Sequence, residues 1–376
     1  MSTTPSILLV GLGGAGCGMV SRIAPHLPPV VRVSLIDTDA SILNTTEGQE
    51  AFQIGRPLTR GMGTAGELAV GQAAVEADEP ALRRLFTGYS LVVLVTGLGG
   101  GMGSGGAAPL ASIALDAGAT VLSFATIPFS HEGERRKRQA TEALEKLAVK
   151  SHGLVVVEND LLALQVAADA SLSAAFSAAD EWIAGSLRAL ASVFTPGALV
   201  PVDPAALKTI LEKPGSPTLF SYGVGEGSGA ALIAAKAACD SSLAHGPGAI
   251  TKVGSLFVQV TGGLNMSATD AFEAVSIIRK KFGGEKTTLL GACIKPELGD
   301  RVEVAVLGAS LPVPKPATKT KKGAKGTDPN QPVFVFATEE SIRRGIFSNT
   351  PLIFRDGADI DVPTYIRKSV RLTSAS

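Results

Sequence analysis

The chain has 376 residues, 45% of them hydrophobic but only 5% aromatic, and its 34 basic residues are balanced by 34 acidic ones. Such a length buries a core in two domains plus appendages, and that core must be mainly aliphatic and alanine-rich. The zero net charge leaves no electrostatic footprint for nucleic acid. No run of 18 apolar residues and no basic-then-apolar leader occurs, so neither a membrane span nor a signal peptide is expected and the chain reads as cytoplasmic. Cys17, Cys239 and Cys293 lie far apart without metal-ligand spacing, so free buried thiols and no metal site are expected.

In chain order, the first element is a strand at Ser6–Val10, followed by a glycine turn, Gly11–Gly16, that opens a helix. With Asp37 about twenty residues on, after a strand at Val31–Ile36, this fits the dinucleotide fingerprint GxGxxG and by itself suggests an NAD-dependent oxidoreductase. A second and richer turn follows the apolar strand Leu91–Thr96. Residues Gly97–Gly106, GLGGGMGSGG, contain seven glycines and precede a helix-like stretch at Ala107–Ala117. A loop so poor in side chains exposes backbone N–H groups, and the helix behind it adds a positive N-terminal end; together they make an anion cradle. Two such loops suggest a nucleotide held from both sides.

Further strands read at Thr120–Thr126 and Leu154–Val157, giving residues 1–175 the alternation of a parallel α/β sheet. An amphipathic helix is expected at Ala174–Phe194. Strands at Ser255–Thr261, Thr288–Ile294 and Arg301–Leu307, with helices at Ala230–Ser241 and Ala268–Phe282, describe a smaller α+β domain. Composition changes at Leu311: the next twenty residues hold four prolines and five lysines and bury too little apolar surface to order themselves. As a flexible linker of about 45 residues, this segment reaches about 35–40 Å. Its basic run reads as a solvated spacer, with an electrostatic contact to an anionic membrane as the alternative.

These motifs together resemble the tubulin/FtsZ family. Thr96–Gly105 resembles its signature GGGTG[ST]G, Gly11–Gly16 its first nucleotide loop, Asp37–Ala40 its NTDA, and Gly61–Gly71 its third loop. Pro128–Arg136 resembles PFxFEGxxR, Glu158–Asp160 resembles PND, and Phe176–Glu181 resembles FxAADE. Val260–Gly263 and Pro296–Asp300 match in the second half, and Asp359–Arg367 resembles the C-terminal peptide D[IL]D[IV]P[TA][FY][LI]R.

The resemblance implies a Rossmann-like GTPase domain (1–175), a central helix and catalytic loop (176–214), an activation domain (215–311), a linker (312–358) and an adaptor-binding peptide (359–376). It implies GTP or GDP as ligand, with Mg2+ carried by the phosphates. Phosphate contacts fall to Gly13, Gly14, Gly99, Gly100, Gly101, Met102, Gly103 and Ser104, with Ala65 and Gly66 at the γ-phosphate. Glu132 falls at the ribose, Arg136 at the sugar or against the phosphate charge, and Asn159, Phe176 and Asp180 at the base. A carboxylate at Asp180 can accept from both guanine N1–H and N2–H. The peptide residues Asp359, Ile360, Asp361, Val362, Pro363, Tyr365, Ile366 and Arg367 would fold onto a membrane adaptor.

Departures from the family concentrate at the phosphates and at the catalytic loop. Gly18 stands for Asn, Asp37 for Asn, and Met102 for a Thr whose hydroxyl faces the phosphates, and one extra glycine occurs at Gly105–Gly106. The loop NxDxxD, which the family presents to the next subunit's nucleotide, reads Pro201-Val-Asp-Pro-Ala-Ala206. Asp203 keeps one carboxylate, and Ala206 replaces the other. The implied function is a head-to-tail filament for cell division with slow GTP hydrolysis, or a filament scaffold that binds GTP without hydrolysing it.

Overall fold

A computed structural model describes residues 7–44, 50–163, 172–192, 198–202, 204–211, 213–216, 218–241 and 252–309, and the backbone of 354–355 and 358–359. For residues 162–163, 172–180 and 204–205 the description is likewise of the backbone. Residues up to Lys315 form one compact unit and Pro316–Ser376 a second.

The first sheet has six parallel strands: β1 (Ile7–Leu12), β2 (Val31–Asp37), β3 (Glu50–Gln53), β4 (Leu91–Gly97), β5 (Thr120–Ile127) and β6 (Gly153–Glu158). Their order is β3-β2-β1-β4-β5-β6. Alternate residues of β1 explain how both faces are covered. Ile7 and Leu9 join one buried cluster with Cys17, Val20 and Ile23 of helix α1 (Gly13–Ile23). Leu8, Val10 and Leu12 join the other, with residues of α4 (Leu68–Ala77), α5 (Glu79–Phe86), α6 (Gly101–Asp116) and α7 (Glu134–Ala148). The short helices α2 (Ala40–Asn44) and α3 (Arg56–Thr59) sit between these elements in the chain. All three cysteines are buried thiols outside any disulfide.

Strand order reverses between β1 and β4. Helices α1 and α6, which follow those two strands, lie on opposite faces, so a crevice opens at the carboxyl ends where ligands of open α/β sheets bind. The glycine-rich run does not form a loop throughout, as composition suggests. Gly97 ends β4, only Leu98–Gly100 turn, and Gly101–Gly106 are already helical. The helix prevails because α4 packs so closely that a Cβ on Gly105 would lie 2.0 Å from the Leu68 carbonyl oxygen. Tertiary packing here overrides the low helix propensity of glycine.

After α8 (Asn159–Ala163), the long helix α9 (Leu172–Ser192) and α10 (Pro204–Ile210) lead to a mixed sheet of β7 (Thr218–Glu226), β8 (Val253–Gly262), β9 (Gly283–Ile294) and β10 (Arg301–Ala309). Its order is β7-β10-β8-β9, antiparallel except for β8 with β9. Helices α11 (Ala230–Asp240) and α12 (Ala268–Phe282) cover one face. The other face meets α9. Tyr222 lies over Gly185, where a Cβ would come 2.5 Å from the ring. Phe220 packs edge-on against both Trp182, at 5.5 Å, and Phe124 of β5, at 5.3 Å. The second unit contributes a two-residue antiparallel pair, Phe354–Arg355 with Ala358–Asp359.

Candidate functional site

The two glycine turns meet at the β1/β4 crevice. Gly13 has φ +73° at the start of α1, and a Cβ there would lie 3.0 Å from the Gly103 nitrogen. The Thr96 hydroxyl, at the end of β4, lies 3.3 Å from the carbonyl oxygens of both Leu12 and Gly103 and ties the turns together. Gly100 is the N-cap of α6, with extended backbone, and a Cβ on it would meet nothing within 4 Å. The amides of Gly101, Met102 and Gly103 follow in the first helical turn, where no intrahelical acceptor exists. Those donors and the helix dipole converge on an open cradle, the requirement for an anion such as a phosphate.

Two expected contacts change role. The Gly99 amide is not left for a ligand: it donates to Ser104 Oγ at 2.7 Å and fixes the turn. Met102 directs its side chain away from the cradle into the buried cluster on α4, and its terminal methyl occupies the place of a Cβ on Gly106. The methionine and the extra glycine are therefore one packing feature.

The residues expected at the sugar border the same crevice. Glu132 ends a short 3₁₀ turn after β5. Its carboxylate accepts from the Phe129 N–H at 2.8 Å and pairs with Arg136 at 2.5 Å. The Arg136 Cβ stands 3.3 Å from where a Gly99 Cβ would be, so α7 borders the glycine turn directly. Asn159 opens α8 after β6. Asp160, to which the motif Glu158–Asp160 gave no role, accepts from the Ser130 N–H at 3.1 Å and joins the loop after β5 to the one after β6. Phe176 and Asp180 lie on α9, whose backbone alone is described there; Asp203 lies outside the described residues. The bridge between Val200 and Ala292 anchors the chain just before Asp203 to β9.

Asp37 is turned into its own loop, where it accepts from Thr38 N–H at 2.6 Å and Asp39 N–H at 3.1 Å. Burial pushes its carboxyl up, against the downward pull of those donors. Its Oδ1 is thus engaged within the loop rather than extended toward a ribose. Ala65 and Gly66 occupy the loop before α4, with φ +50° and +80°. Thr64 is buried beside Gly101. Of the C-terminal peptide, the backbone of Asp359 is described; Ile360, Asp361, Val362, Pro363, Tyr365, Ile366 and Arg367 lie outside. Among the described residues no helix is long and apolar enough to cross a membrane.

A doubly wound sheet with two glycine turns and a helix N-terminus at its switch point defines a phosphate-binding α/β protein. Residues 6–166 match the family model "Tubulin/FtsZ family, GTPase domain", so this part of the chain is similar to the GTPase domain of that family. An empty FtsZ dimer from M. jannaschii is 28% identical over 81% of this chain and 88% of that one, with a TM-score of 0.74. CetZ2 from Haloferax volcanii, solved as a GTPγS-bound protofilament, is 22% identical over 81% and 93%, with a TM-score of 0.65. CetZ1 from the same organism, a GDP-bound monomer, is 19% identical over 82% and 96%, with a TM-score of 0.67. The CetZ likeness extends to the fold.

Proposed function

We propose that this chain binds GTP or GDP, with Mg2+ on the phosphates, and assembles head to tail into cytoplasmic filaments for cell division. The contact between Gly13 and Gly103 is the observation that carries the reading, because it turns two separate glycine motifs into one phosphate cradle. Amides of Gly13, Gly14, Gly100, Gly101, Met102 and Gly103 take the phosphates, while Gly99 and Ser104 shape the turn. Arg136 and Glu132 serve the sugar, and Asn159, Phe176 and Asp180 the guanine. The division role leans on the likeness to FtsZ and on the C-terminal peptide, which recruits a membrane adaptor at the division site.

Hydrolysis falls to Asp203 of the adjoining copy, which orients water at the terminal phosphate. Ala206 supplies no second carboxylate, so turnover is slow. The same residue favours a second reading, a scaffold that uses GTP without hydrolysing it. GTP turnover and sedimentation, measured on one preparation over a range of concentrations, decide between them. Turnover per subunit that rises with concentration, is lost in Asp203→Ala and grows in Ala206→Asp supports the shared site. Filaments without turnover support the scaffold. Equal binding of ATP and GTP removes both.

A further inference from the structure

The loop that precedes α4 is gripped from two directions. Beneath it lies Gly101, where a Cβ would come within 2.3 Å of Thr64 Oγ1 and 2.7 Å of the Glu67 nitrogen, so the loop rests on the first residue of α6. Beside it stands α7. Gln139 donates from Nε2 to the Gly66 carbonyl oxygen at 3.2 Å, and Arg135 pairs with Glu67 at 2.8 Å. The loop is not at rest in this position. Arg60, Gly61, Gly63, Ala65 and Gly66 all have φ between +50° and +80°, and Arg60 and Ala65 adopt it despite carrying a Cβ. Strained backbone of this kind persists only where its surroundings over-determine it. The Arg135–Glu67 pair is more than half exposed at both ends and holds weakly. The half-buried bond from Gln139 acts on the backbone next to Ala65 and is the stronger restraint.

From these contacts we infer that Gln139 is a positioning residue for the terminal phosphate of the bound nucleotide. By holding the Gly66 carbonyl, it fixes the Gly66–Glu67 peptide and with it the turn that carries Ala65 and Gly66 beside Gly101, and so sets the preference for a triphosphate over a diphosphate without touching either. The inference rests on the proposed placement of Ala65 and Gly66 at the γ-phosphate. Since α7 also carries Arg136, one helix couples the sugar end of the site to the terminal-phosphate end.

The test is calorimetric titration of the full chain with a non-hydrolysable β,γ-imido GTP analogue and with GDP. Gln139→Met keeps the bulk and removes the donor; its thermal melt verifies folding. The expected result is a fall of about 5- to 20-fold in affinity for the triphosphate, with GDP affinity unchanged within twofold, as befits one lost hydrogen bond. An unchanged ratio, or an equal loss for both nucleotides, overturns the role, since a merely structural residue weakens both. Gly66→Ala separates this failure from that of the underlying placement. It adds a methyl where nothing lies within 4 Å, at a φ of +80°. If Gly66→Ala shifts the ratio and Gln139→Met does not, the positioning role alone is wrong. If neither shifts it, the loop does not serve the terminal phosphate and both ideas fall.

Discussion

Gly13 and Gly103, ninety positions apart, approach so closely that a side chain on the first would sit 3.0 Å from the backbone nitrogen of the second. The contact joins the start of α1 to the first turn of α6 across the sheet's switch point. Each glycine motif supplies half of one crevice, and neither half is complete alone.

Gly103→Ala should therefore be damaging in a way that helix propensity does not foresee. Its Cβ would lie 2.2 Å from the Gly97 carbonyl oxygen, which is backbone, and 2.9 Å from Thr96 Oγ1. The cost should be about 1–3 kcal/mol in urea unfolding, with GTP binding lost as the turn shifts. Gly18→Ala, in mid-helix, meets only the flexible end of Arg22 at 3.3 Å and should gain about 0.5–1 kcal/mol. A Gly103→Ala protein as stable as the parent contradicts the packing described.

Met102 and Gly106 should behave as a coupled pair. Met102→Thr removes a buried side chain and should cost about 2 kcal/mol. Gly106→Ala pushes on the Met102 methyl, 2.6 Å from the new Cβ, and should cost about 1 kcal/mol. The double variant should be more stable than the sum of the two effects implies, by about 1 kcal/mol. Strict additivity in a thermal or urea cycle counts against a shared packing role.

His152 gives the stability a dependence on pH. Its Nδ1 accepts the Val121 N–H at 3.1 Å, which requires the neutral ring. Burial, and then the charge of Lys208, hold its pKa below the ordinary 6.5. The unfolded chain thus takes up a proton more readily than the native one. The contribution of this site is complete above pH 6.5 and is lost as the pH falls through the window below it. Urea midpoints at pH 7.5 and 5.5 should differ less in His152→Asn, which keeps an acceptor and does not titrate. An identical pH dependence in both proteins would exclude His152 as its source.

Asp180 is the proposed reader of guanine. Asp180→Ala should narrow the preference for GTP over ATP by about tenfold or more, corresponding to about 1–3 kcal/mol for an unmet pair of donors. Competition binding with both nucleotides measures it directly. A parent protein indifferent to the base, or a variant that keeps full preference, rejects this assignment.

Much of this architecture was legible in the chain. Five strands of the parallel sheet stand out as apolar runs because both of their faces are buried. β3 does not, since Glu50–Gln53 is a short, largely exposed edge strand with two acid or amide residues in four. β7 is hidden by its glycines: Gly223 and Gly225 make room for α11 but read as turn formers. The cradle itself was legible from glycine spacing. Its supports were not, because Gln139 and Asp160 look like ordinary polar surface residues until folding brings Gly66 and Ser130 beside them.

The aromatic contact between α9 and the mixed sheet has a practical consequence. Trp182 is the only tryptophan in the chain; it is carried by α9, the helix of the proposed guanine contacts Phe176 and Asp180, and is buried against Phe220. Intrinsic emission excited at the indole band thus originates at a single place in the molecule. An unlabelled sample reports by itself whether the two sheets separate before the protein melts, and whether adding nucleotide at one end of α9 alters the surroundings of the indole.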